Sequence, residues 1–196
     1  MTILLGVLAV SPASTQQKKA VPPPPKPDDG GPSLEVTMKF IQDKMNSIGP
    51  VNYAVYFHDN ATGADWTKRS KFEVTQMVAE APACAITYHE KGWPAAESES
   101  SSGFFLKNVE DVVVMPMEQY QQEAAAAAGH PSWSSRVDPP VFVLKVRESD
   151  VKGTNNFDFF DEQLPNRVAR AIVHAVELCG GGGKKEEEKK EEKEPF

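Results

Sequence analysis

Four histidines, His58, His89, His130 and His174, and two cysteines, Cys84 and Cys179, carry the widest chemical repertoire in this 196-residue chain. Histidine serves as a metal ligand or as an acid–base group near neutral pH, and spacing decides which. No two histidines stand at helical i, i+4 spacing, and there is no HExxH and no CxxC. A zinc site would have to be assembled wholly from distant segments, so no metal and no cofactor is assigned. The loop HDNATGAD, His58 to Asp65, has the outline of a calcium loop, but Ala61 and Gly63 offer no side-chain oxygen where ligands are needed. A hairpin turn explains it better. GGGGKK, Gly180 to Lys185, lacks the Ser or Thr of a phosphate loop and follows a helical pattern instead of preceding one, so no helix N-terminus faces an anion there. A nucleophile needs an activating neighbour. There is no GxSxG and no cysteine beside a histidine, and Ser101, Ser102 and Ser132 lie in turn-rich sequence. Asp158, Asp161 and Glu162 could act as acid–base carboxylates, yet Asp161 sits where a helix cap is needed. No catalytic residue is assigned.

The cysteines have a structural use. The N-terminus, MTILLGVLAVSPASTQQ, places an apolar run, Ile3 to Val10, before small residues, the order of a secretory signal with cleavage after Ala13. The run is too short to span a bilayer, and no Lys or Arg precedes it. Residues 1–13 are therefore expected to form a signal peptide, and the chain to be periplasmic or secreted, with a cytosolic location as the alternative. Disulfides persist outside the cytosol, so Cys84 and Cys179 can form one bridge, or remain two buried thiols. A bridge that closes the loop between Cys84 and Cys179 is worth about 4–5 kcal/mol in the chain-entropy account.

Binding is the other use of chemistry-bearing side chains. Arg167, Arg170, His174 and Glu177 recur at three and four residues on the polar edge of the last helical pattern, while Tyr120, His130 and Trp133 lie in a long small-residue segment. The first set also reads as a solvated helix face, and Trp133 reads as an anchor that fixes its loop. These residues form the candidate binding surface, and its ligand, a protein among the candidates, is undefined. The formal charge of -7 and pI near 5.2 argue against nucleic acid and anionic membranes, which recruit basic surfaces.

The elements that must position these residues follow from periodicity. QQKKAVPPPPKPDDGGP is a proline-rich spacer, so residues 14–32 are expected to be a disordered linker. Ser33 caps a helix whose stripe is Leu34, Met38, Ile41, Met45 and Ile48, stopped by Gly49 and Pro50. Alternation then predicts strands over Val51 to His58, Thr67 to Ala79 (Phe72, Val74, Gln76 and Val78 on one side) and Cys84 to Glu90. GWPAAESESSSG reads as a mobile loop. FFLKN and DVVVMPM read as a fourth and fifth strand around a tight turn, Asn108 to Asp111. MEQYQQEAAAAAGHPSWSSRVDPP reads as a long excursion with a helical turn or two. Pro140 to Glu148 and Asn155 to Phe160 supply a sixth and seventh strand. Leu164, Val168, Ala171, Ile172, Ala175, Val176 and Cys179 make the apolar face of a closing helix, with Pro165 in its first turn and Gly180 as its stop. Residues 181–196 are expected to be a glycine hinge and a disordered Lys/Glu tail.

Successive strands closed by one amphipathic helix define an α+β domain over residues 33–180. That order resembles the pleckstrin-homology-like barrel, in which seven strands form two near-orthogonal sheets and a C-terminal helix plugs one end. The run DVVVMPM, PVFVLKVRE, FDFFDEQLPNRVARAIVHAVELCGG is also similar to uncharacterised bacterial exported proteins. The resemblance implies a seven-stranded antiparallel barrel or sandwich, here with an extra N-terminal helix. Many members bind phosphoinositides through basic residues near the first hairpin. This chain has Lys68, Arg69 and Lys71 there, but Asp59 and Asp65 stand in the loop, which disfavours a lipid headgroup. The functional expectation is a non-catalytic binding or scaffold module of the cell envelope. The alternatives are an enzyme of unrecognised type using dispersed histidines and acids, and a cytosolic adaptor acting through the charged tail.

Overall fold

The computed structural model describes residues 31–92, 99–150 and 153–181. The expected signal peptide, most of the proline-rich linker, the charged tail and residues 93–98 of the GWPAAESESSSG segment lie outside the described residues.

Helix α1, Leu34–Asn46, begins where Ser33 Oγ accepts from the Val36 amide at 3.4 Å. It buries Thr37, Met38, Ile41 and Met45, the face its spacing predicts. Strands β1 (Val51–Asp59), β2 (Ala64–Glu80), β3 (Ala85–Gly92) and β4 (Glu99–Phe105) follow as antiparallel neighbours, and a 3-10 turn at Leu106–Asn108 leads into β5 (Val109–Pro116). Helix α2 (Met117–Ala127) and β6 (Trp133–Asp138) precede β7 (Phe142–Glu148), β8 (Thr154–Phe159) and α3 (Gln163–Leu178).

These strands form a five-stranded sheet, β4-β3-β2-β1-β6, and a three-stranded sheet, β5-β7-β8. The molecule is α+β and antiparallel, as expected, but it has eight strands among the described residues and its sheets do not close into a barrel. The extra strand is β6. Its Ser134, Ser135 and Arg136 carry too little apolar alternation to announce a strand, yet they pair along β1 from Ala54 to Asp59. Strand β4 likewise reaches back to Glu99 through the serines read as loop, and the tight turn expected after Asn108 is the 3-10 turn before it. The alanine-rich excursion gives three turns of helix rather than one or two.

Strand β2 is the joint of the larger sheet. Its first half pairs with β1 and its second half with β3, and the register shifts between Val74 and Gln76. The bulge at Thr75 turns the inward face from Phe72 and Val74 to Met77 and Ala79, so Gln76 and Val78 do not share the Val74 face. The edge of β2 that β1 leaves open is met by α1. Asn46 accepts from the Met77 amide at 2.6 Å and donates to its carbonyl at 2.9 Å, and Gln42 accepts from the Ala79 amide at 3.0 Å. Side-chain amides thus take the place of a neighbouring strand.

The core has two parts. The larger joins Met38, Ile41 and Met45 of α1 to Ile86, Phe104, Leu144, Phe157 and the α3 residues Val168, Ile172 and Ala175. The smaller joins Val51, Val55 and Phe57 of β1 to Met117, Val137, Val141 and Val143. Helix α3 starts under Asp161, whose Oδ1 accepts from the amides of Gln163 and Leu164, both at 2.9 Å. It ends at Gly180, with φ of 74°, where the Gly180 amide donates to Glu177 O and the Gly181 amide to Val176 O. That is a Schellman stop, which the glycine pair makes available.

Candidate functional site

Helix α3 packs its buried face inward and leaves Asn166, Arg170, Val173 and Glu177 on its outer flank, beside β5, the outermost strand of the smaller sheet. Between them runs a groove. One depression of about 360 Å³ has Val112, Val114 and Val173 on its apolar walls and Arg170 and His174 on its rim. A second, of about 280 Å³, continues it past Val109 and Val112 towards Glu110, Asp111 and Glu177. Val173 is 44% exposed in the middle. Glu177 lines both depressions and lies 4.0 Å from His174 Nδ1, so the floor is valine, the basic group towards Val114 is Arg170, and the end near Val109 is acidic. Arg147 of β7 lies 3.4 Å from Glu110 and 3.8 Å from Asp111, so part of the acidic end is neutralised. Among the described residues no strand pairs with the outer side of β5, and its Val112, Val113 and Val114 are half-buried. A strand with one open edge, beside a helix flank with an exposed valine, can take an extended peptide by strand addition.

The sequence-predicted surface is divided among separate places. Arg170 and His174 line the groove. His174 donates through Nε2 to the Pro32 carbonyl at 2.9 Å, which fixes the start of the domain against α3. Arg167 points instead to α1, its guanidinium 5.6 Å from the Phe40 ring centroid. Tyr120, on α2, accepts from the Asn156 side-chain amide at 3.2 Å. His130 stacks on Trp133 with centroids 4.0 Å apart, and Trp133 meets Trp66 edge-on at 4.6 Å. Trp66 in turn stacks on Phe57. Trp133 thus anchors its loop on the β1–β2 hairpin, with Ser132 donating to Asp59 at 2.7 Å. That hydrogen bond, those from Thr62 and the Ala61 amide, hold the Asp59 carboxyl down at about 2, Thr62 contributing most.

The other histidines have local partners. His58 Nδ1 is 2.9 Å from Asp65 across the first hairpin, and His89 sits in β3 opposite Gln76. Among the described residues no three His, Cys, Asp or Glu side chains converge as a metal site.

Asp158 is a buried carboxylate with its charge disfavoured. It is 7% exposed and accepts from the Tyr53 hydroxyl at 2.9 Å. Burial pushes its carboxyl up to about 6, against the Tyr53 hydrogen bond and with help from the Glu90 charge. Tyr53 is pushed far above the ordinary phenol range by burial and by that same carboxylate. A raised acid can serve in proton transfer; here its side-chain partner is a phenol that holds its proton. The pair ties β1 to β8. Tyr88 makes a similar tie by donating to Asn155 at 2.8 Å.

Cys84 and Cys179 are joined, with S–S 2.01 Å and Cα–Cα 5.9 Å across a sequence separation of 95. Cys84 has φ of 48°, the left-handed turn of the β2–β3 hairpin. The bond pins that turn to the end of α3.

The groove was only half legible. Arg170 and His174 signalled a polar helix edge, but Val173 belonged to no face that was read and Val112 was read only as part of a strand, because periodicity does not tell which strand ends a sheet. Compared with known proteins, the chain matches no family model, no curated protein and no solved structure.

Proposed function

We propose that this chain is an exported, non-catalytic binding module of the cell envelope that takes an extended protein segment along the groove between α3 and β5. The observation that carries this reading is the open outer edge of the valine-rich β5 lying beside the exposed Val173. Main-chain groups of β5 would supply affinity, and the apolar floor would select side chains of alternating polarity on the incoming strand. The basic and acidic ends would set its direction.

Export is supported by the apolar leader and by the disulfide, which is stable in an oxidising compartment. Within this reading the domain is an opened pleckstrin-homology-like sandwich whose terminal helix covers the smaller sheet. The ligand is met at the edge of that sheet, away from the Lys68, Arg69 and Lys71 segment.

The test is capture from envelope extracts by the full chain and by Val173→Asp. Val173 is exposed, so the variant keeps its fold while placing a charge on the apolar floor. The expected result is processed, disulfide-bonded protein that captures a defined partner and loses it on Val173→Asp. Equal capture by the variant contradicts the groove, and an unprocessed chain with two alkylatable thiols contradicts export.

A further inference from the structure

The groove has a polarity that matches itself. Along α3 the outer flank reads Arg170, Val173, Glu177, with the base three residues before the exposed valine and the acid four residues after it. Along β5 the order is reversed in space. Val114 lies at the Arg170 end, and Glu110 and Asp111 lie at the Glu177 end, so the strand and helix run antiparallel with Val112 beside Val173.

We infer that the extended segment this groove takes is β5 of a second copy of the chain, an inference that rests on the groove being a docking surface. A two-fold axis through Val112, Val113 and Val173 sets β5 antiparallel to the second copy's β5. The two three-stranded sheets then become one six-stranded sheet, β8-β7-β5 continued by β5-β7-β8. The same axis sets the two α3 helices side by side, Val173 against Val173. Each Arg170 then faces the second copy's Glu177, and the acidic end of each β5 lies beside the basic end of the other groove. One symmetry operation satisfies the strand edge, the exposed valine and both charged ends together. Among the described residues Arg170 has no ion pair within its own chain, so its charge is available for this contact.

The edge carries its protection only at its two ends. Natural edge strands carry lysines, prolines or bulges against pairing. In β5 the register shift falls between Val109 and Asp111 and the proline is Pro116, the last residue, which leaves Val112, Val113 and Val114 uncharged between them.

Sedimentation of the full chain tests this. Wild type is expected to run as a dimer and Val173→Asp as a monomer. Arg170→Glu and Glu177→Arg each place like charges together twice across the axis, and each is expected to weaken the dimer by roughly tenfold. The double variant, Arg170→Glu with Glu177→Arg, restores both pairs with reversed sign and is expected to dimerise like wild type. Circular dichroism of the variants should match wild type, since all three side chains are exposed. A dimer that none of these changes affects overturns the inference by placing the contact elsewhere. A monomeric wild type overturns it too. If Val173→Asp then still abolishes capture of an envelope partner, the docking surface stands with a different occupant; if capture is unchanged, the docking surface falls with it.

Discussion

Asp158 lowers stability at neutral pH, and the sign follows from where its proton is held. The unfolded carboxyl titrates near 3.8 and the folded one at about 6, so between those values the folded chain binds more protons. The group favours folding below 3.8, that contribution falls as pH rises through about 6, and it stays absent above. A shift of this size corresponds to about 3 kcal/mol. Asp158→Asn keeps an acceptor for Tyr53 and removes the charge. Chemical denaturation should show it about 1–3 kcal/mol more stable than wild type at pH 7, with little difference at pH 4. Asp59 has the opposite sign, since its contribution is present above 3.8 and fades as pH falls through about 2. Local devices at this scale were legible: Ser33, Asp161 and Gly180 act on amides and carbonyls within a few residues, so their sequence context is sufficient. The burial of Asp158 was not, because it depends on Tyr53, 105 residues away.

At the scale of elements, the strongest signals came from faces that meet a core. Both amphipathic helices and the alternating β1 announced themselves through the residues they bury. Strand β6 and the serine-rich first part of β4 did not, since Ser100, Ser101, Ser134 and Arg136 pair through their backbones while their side chains face solvent. The Thr75 bulge was equally silent, because an unpaired residue changes register without changing composition. The most informative element contact is α1 on the open edge of β2. Asn46→Ala removes an acceptor from the Met77 amide and a donor from its carbonyl in a half-buried position. The expected loss is about 1–3 kcal/mol in a denaturant titration, together with faster amide exchange at Met77. Gln42, which holds the Ala79 amide alone, should cost less when replaced by alanine.

Across the whole molecule, two links hold distant parts of the chain in place. The larger core joins both terminal helices to strands from both sheets, and the disulfide ties the β2–β3 turn to the end of α3. Replacing Cys84 and Cys179 together by alanine is expected to cost about 2–5 kcal/mol, read as a lower denaturation midpoint that reductant no longer shifts. The α+β class and the order of most elements were legible, since hydrophobic periodicity fixes them. That the two expected sheets stay open was not, because closure depends on how strand edges meet across space. That openness leaves β5 free and puts the groove on the surface.

The most direct measurement of the binding account is photo-crosslinking in intact cells with a photoreactive aliphatic residue at Val173, the exposed centre of the groove. The account expects a covalent protein adduct at Val173, at twice the chain mass where the occupant is a second copy, and none from the same residue placed at Val36, which is 59% exposed on α1. Failure to form an adduct at Val173, or equal adducts at both positions, would contradict it.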